Sequence, residues 1–274
     1  MKTGQIIIEA GKTEKQYFSD LWSYRELFFF LAWRDFLVRY KQTAFGVTWA
    51  VLRPFLTMVV FSFIFGRIAK FPSNGVPYPI LVYTAMLPWY FFAQAFGDSS
   101  NSLIAGQNMM AKIYFPRIIM PISAIIVAMV DFAISFLILI GLLIYFQYQP
   151  QWTIIFLPFF LLIAFGAAMG AGIFVAALNV KYRDFRYIVP FIIQFGLYIS
   201  PVGFSSRVIP EKWQILYYLN PMVGVIEGFR WCILGGANTL NAAALIISLL
   251  VTTVFIVIGI YYFRKTERSF VDII

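Results

Sequence analysis

The sequence has no histidine, a single cysteine (Cys232) and little charge, with only 12% of its 274 residues being Asp, Glu, Lys or Arg. Without an imidazole there is no Ser-His triad and no His-ligated metal. One cysteine excludes an intrachain disulfide and any cysteine-cluster metal site. The shortage of charge excludes more. Soluble domains carry about 25% charged and about 45–50% apolar residues. Here 61% of the chain is hydrophobic, and its mean hydropathy is +0.82, which is more apolar surface than one soluble core can bury. A soluble enzyme, a disordered tail and a fibrous repeat are excluded, and an all-α integral membrane protein is expected. Gly11-Lys12-Thr13 imitates the end of a phosphate-binding loop. That motif needs a glycine where Ile6 stands, together with an α/β frame, so no ATP site is read there.

Apolar stretches of about 20 residues cross a hydrocarbon core. They predict six spans, at 47–68, 78–96, 118–146, 153–178, 187–204 and 242–263. Fifteen Lys and Arg fall in the N-terminal segment, the loops after spans two and four and the C-terminal tail, against five on the opposite side. By the positive-inside rule both termini are cytoplasmic, and the net charge of +9 needs no nucleic acid to explain it. The resulting organisation is a flexible N-terminus (1–20) without a signal-peptide core, an amphipathic interface helix (21–42), a six-helix transmembrane domain (43–263) and a cytoplasmic tail (264–274).

Three segments say more than their hydropathy. Phe29, Phe30, Trp33, Phe36, Leu37 and Tyr40 form one helical stripe, with Arg34, Asp35 and Arg39 off it, the pattern of a helix lying at a membrane surface. It is either a simple anchor or a working part. The loop 101–117 holds a short helix that either fills a groove on a partner or merely connects spans. The segment 205–240, broken at Asn220-Pro221 and ended by Gly235-Gly236, predicts two short outer helices, either a gate or a surface cap.

Within the spans, Asp131 and Arg53 are costly charges. They either pair with one another or face a wet cavity, and Arg53 lies near enough to a span end to snorkel. Glu227 and Arg230, spaced i, i+3, are set to pair in the outer segment. Gly166 and Gly170 mark a small-residue face for close helix approach, foremost within the chain and alternatively against a second copy. Two stripes are candidates to line a path: Phe55, Met58, Ser62 and Phe65 on span one, and Phe191, Phe195 and Tyr198 on span five. Aromatic faces suit sugar rings, and ordinary helix packing explains any one of these residues equally well.

Several strings occur together in order. They are Trp33-Arg34-Asp35-Phe36-Leu37-Val38-Arg39-Tyr40-Lys41-Gln42-Thr43, Gly46-Val47-Thr48-Trp49-Ala50-Val51-Leu52-Arg53-Pro54, Lys112-Ile113-Tyr114-Phe115-Pro116-Arg117, Asn179-Val180-Lys181-Tyr182-Arg183-Asp184 and Asn220-Pro221-Met222. With them the chain resembles the membrane (permease) subunit of polysaccharide-exporting ABC transporters, the O-antigen and lipopolysaccharide export type. The resemblance implies a pore of two copies and two copies of a separate cytoplasmic ATPase that holds ATP and magnesium, this chain having no cofactor. It implies a lipid-linked polysaccharide moved across the bacterial inner membrane, with the outer helices as a periplasmic gate. The ATPase contact would be Gln107, Asn108, Met109, Met110, Ala111, Lys112, Ile113, Tyr114, Phe115, Pro116 and Arg117, joined by the interface helix. A lipid pyrophosphate would meet Arg34, Arg39, Lys41 or Arg53 at the cytoplasmic mouth. Capsule and teichoic-acid exporters share this architecture. An integral-membrane glycan-assembly enzyme is disfavoured by the scattering of Asp98, Asp131, Asp184, Glu211 and Glu227. An ion-coupled carrier using Asp131 is disfavoured by the lack of an internal repeat.

Overall fold

A computed structural model describes residues 21–41, 46–73, 75–110, 112–113, 115–235, 240–267 and 270. The expected N-terminal segment 1–20, Gln42, Ala111, Tyr114, Gly236 and most of the tail lie outside the described residues. Every regular element among the described residues is helical. The principal helices are α1 (Arg25–Lys41), α2 (Gly46–Phe61), α3 (Tyr78–Ala105), α4 (Gln107–Met110), α5 (Ile119–Tyr145), α6 (Leu157–Lys181), α7 (Phe185–Ile199), α8 (Glu211–Tyr218), α9 (Pro221–Leu234) and α10 (Ala242–Thr266). Helices satisfy their own backbone polar groups, which an apolar solvent demands.

Among the described residues, five segments are long and apolar enough to cross a membrane: Val51–Ile68, Tyr78–Ala105, Ile119–Tyr145, Trp152–Lys181 and Ala242–Thr266. The expected span at 187–204 is different. Its helix, α7, has 15 residues, about 22 Å at 1.5 Å per residue, against a hydrocarbon core of about 30 Å. It stops because Pro201 follows Ser200, whose backbone is extended (φ −73, ψ 151), as a residue before proline prefers.

α3 is the buried axis of the bundle, packed on α5, α6 and α9 with α2 and α7 at its sides. α6 lies between α3 and α10. Its Gly166 faces Thr252 and Ile256, and a Cβ on Gly170 would press into the backbone at Phe255 and Ile256. On another face of α6, Gly172 meets Ser99 of α3. The small-residue stripe is therefore filled by α10 of the same chain, and the alternative of a second copy on that face is corrected.

α1 carries two apolar faces. Leu31 is buried, with Tyr24, Leu27 and Phe28 packed in the same cluster, which includes Leu103 of α3 and Ile119 of α5. Phe29, Phe30 and Trp33 are exposed on the other side. Arg39, which lies off the apolar stripe, turns inward, because its counter-charges lie on α3 and α5.

Candidate functional site

The inward charge of α1 builds one cluster. Arg39 pairs through one guanidinium nitrogen with Asp98 of α3 and through the other with Asp131 of α5. Tyr40 donates its hydroxyl to Asp131, and Gln94 donates to Asp98 at 2.7 Å. Burial alone would lower the Arg39 pKa, but the carboxylates of Asp98 and Asp131 outweigh it and hold the value above the ordinary one. Arg34 pairs with its neighbour Asp35 at 2.7 Å. Beside these groups lies a cavity of about 370 Å³, lined by α1 from Leu31 to Arg39, by Asp98, Asn101 and Ser102 of α3, and by Met120 to Val127 of α5.

Two expectations change here. Asp131 is held by Arg39 and Tyr40, not by Arg53. Arg39 is engaged by two carboxylates, whereas Arg34 pairs with its neighbour Asp35 and stays part-exposed. Lys41 and Arg53 stay exposed. Sequence reading passed over Tyr40 and Asp98 as partners. The available signal was Asp98 itself, the single charged residue of α3.

The loop between α3 and α5 divides into anchored and presented residues. Met110, Phe115 and Pro116 are buried and Met109 is half-buried, whereas Gln107, Asn108, Lys112 and Ile113 are exposed. Arg117 is half-buried. Its backbone N–H donates to the Glu267 carboxylate at 2.9 Å and its guanidinium to the Glu267 carbonyl.

The aromatic stripes meet along α2 and α7. Phe191 and Phe195 stack at 5.5 Å, and Tyr198 stacks on Phe61 at 6.4 Å. Phe55, Phe191, Phe195 and Tyr198 are exposed on this side. Phe65 is half-buried, stacked on Phe71 at 5.8 Å and lying over Gly203, and Ser62 is half-buried. Met58 is only 4% exposed and sits in the core, so it does not line the aromatic surface in this conformation.

At the far end of α7 the chain leaves helical geometry, and its carbonyls are met by side chains from three elements. Tyr217 of α8 donates to Ile199 O at 2.9 Å, and Tyr78 of α3 to Gly203 O at 2.6 Å. Arg230 of α9 donates to Val202 O at 2.9 Å and to Phe204 O at 2.8 Å. Asn220 caps α9 through Met222 N and reaches Ser200 Oγ at 2.9 Å. Glu227 accepts from the Ser206 hydroxyl and stays near enough to Arg230 to support its charge. Glu227 and Arg230 thus belong to a wider network that ties the end of α7 to α8 and α9. Gly235 ends α9 with a positive φ of 60, which glycine adopts without strain.

The O-antigen export system permease protein RfbA of Klebsiella pneumoniae is 28% identical over 247 residues, covering 88% of this chain and 92% of the relative. Its namesake from Myxococcus xanthus is 24% identical over 213 residues, covering 77% and 81%. The inner membrane transport permease YadH of Escherichia coli is 24% identical over 220 residues, covering 74% and 81%. The family model described as ABC-2 type transporter matches residues 26–234, from α1 to the end of α9. The chain belongs to the ABC-2 type transporter family of multi-pass membrane proteins.

Proposed function

We propose that this chain is the permease subunit of an ABC exporter that moves a lipid-linked polysaccharide, with O-antigen as the leading substrate, across the bacterial inner membrane. The observation that carries this reading is similarity to O-antigen export permeases along 92% of a relative's length. In this reading two copies form the conduit, with the exposed aromatic side of α2 and α7 turned toward it. Sugar rings then slide over Phe55, Phe191, Phe195 and Tyr198. α7 and the stapled segment after it make the sixth crossing, both termini are cytoplasmic, and α8 with α9 forms the outer gate. ATP hydrolysis takes place in two copies of a partner ATPase that docks on the loop after α3, through Gln107, Asn108, Lys112 and Ile113. A pyrophosphate head group meets Lys41 and Arg53, exposed cations of α1 and α2, in preference to Arg34 and Arg39, which carboxylates already engage.

An ion-coupled carrier needs an acid open to its ion. Arg39 and Tyr40 occupy Asp131, which weighs against that alternative.

The test is purification of the tagged chain from native membranes in mild detergent, with complex mass and partners determined. A near-stoichiometric ATPase, two copies with two permeases, is expected. A preparation that holds no ATPase even after gentle cross-linking overturns the reading.

A further inference from the structure

The loop proposed to receive the ATPase is fastened by residues at the other end of the chain. Ile118, the N-cap of α5, has no side-chain acceptor for the orphan N–H groups that open a helix. The first N–H groups of the helix, on Ile119 and Met120, are met by the carbonyls of Pro116 and Arg117. Just ahead of the N-cap, the Glu267 carboxylate accepts from Arg117 N at 2.9 Å, pinning the residue that leads into α5. The Arg117 guanidinium returns to the Glu267 carbonyl and lies 5.9 Å from the centre of the Phe270 ring, within cation–π reach. Phe270 is 2% exposed and edge-on to Phe263 of α10 at 5.4 Å. It shares its cluster with Met110 and Phe115, the buried roots of the loop, and with Leu31 of α1.

We propose that Glu267 and Phe270 are positioning residues that fix, through Arg117 and the roots of the loop, how Lys112 and Ile113 are presented to the ATPase. This rests on the docking role given to the loop under the proposed function. α10 in turn is seated on the glycine stripe of α6, so the docking platform is braced against the bundle through the chain's last helix.

Two measurements on the full chain test it. For the first, Ile113→Cys is spin-labelled in lipid nanodiscs without ATPase, Cys232 being buried. Glu267→Ala and Phe270→Ala should each mobilise the label. Glu267→Gln, which retains an acceptor oxygen, should leave it near the parent spectrum. For the second, the ATPase is titrated onto permease variants that remain monodisperse. Glu267→Ala and Phe270→Ala should weaken binding about tenfold, and Glu267→Gln about twofold or less. Unchanged label mobility and unchanged affinity in both Glu267→Ala and Phe270→Ala overturn the positioning role. Ile113→Asp distinguishes the underlying reading: normal ATPase binding by that variant places docking elsewhere and removes the proposal with it. Loss of binding by Ile113→Asp, with full binding by Glu267→Ala and Phe270→Ala, overturns the clasp alone.

Discussion

α2 and α3 are consecutive apolar segments, yet 78% of the most apolar window of α3 is buried inside the chain against 17% for Val51–Ile68, which takes in most of α2 and the turns after it. Hydrophobicity does not separate them, because lipid is as apolar as a protein core and gives no drive to hide leucine. The packed half of the molecule is made by small and polar residues that allow close approach: Ser99 and Ser100 on α3, and Gly166, Gly170 and Gly172 on α6. α2 and α7 instead present Phe55, Val59, Phe191, Phe195 and Tyr198 outward. The first half is a finished core. The second is a surface, and the proposed function assigns it to the conduit.

Changes on the two sides should therefore behave oppositely. The largest effect is expected from Gly170→Leu, since even a Cβ there presses into the Phe255–Ile256 backbone. Overpacking at a site backed by main chain should cost about 3 kcal/mol or more, read as loss of monodisperse protein and a lowered thermal midpoint in detergent.

Arg39→Met comes next. It leaves Asp98 and Asp131 without their shared cation. A fully buried broken pair costs about 3–5 kcal/mol, but these side chains keep 20–30% of their exposure, so about 2 kcal/mol is expected after screening. Adding Asp98→Asn and Asp131→Asn should restore much of that loss in a mutant cycle. A strictly additive cycle would refute the cluster.

Arg230→Met should cost about 2 kcal/mol by orphaning the carbonyls of Val202 and Phe204. Hydrogen exchange should rise first in residues 200–204, before α3 is affected.

The smallest stability change is expected from Phe191→Ala with Phe195→Ala, within about 0.5 kcal/mol as for exposed sites. Glycan export in cells should nevertheless fall severalfold. Unaltered export at normal expression would break the assignment of this face.

Much of the fold was legible because lipid imposes a length rule. The spans at 78–96, 118–146, 153–178 and 242–263 correspond to α3, α5, α6 and α10, although α3 runs on to Ala105 beyond its apolar stretch. The same rule overextended α7. Apolar residues continue to Phe204, and hydropathy does not register that Ser200-Pro201 ends the helix. The Gly166–Gly170 spacing announced a close contact without naming α10 as its partner. α1 was read as a surface helix with its charges outward, and its partners Asp98 and Asp131 lie 59 and 92 residues from Arg39. No local pattern encodes that pairing, nor the reach of Glu267 across 150 residues to Arg117.

The fork of Arg39 also acts as a gauge of register. One nitrogen engages α5 and the other α3, in a plane that cannot stretch. A slide of α3 past α5 by a single residue, about 1.5 Å, would pull on both bonds at once. The two carboxylates thus mark one height on α3 and α5 at which α1 is seated. The α7 side is fastened in another way, by Tyr217, Tyr78 and Arg230 donating to the carbonyls at and beyond the helix end, so its hold depends on backbone acceptors and not on matched charges.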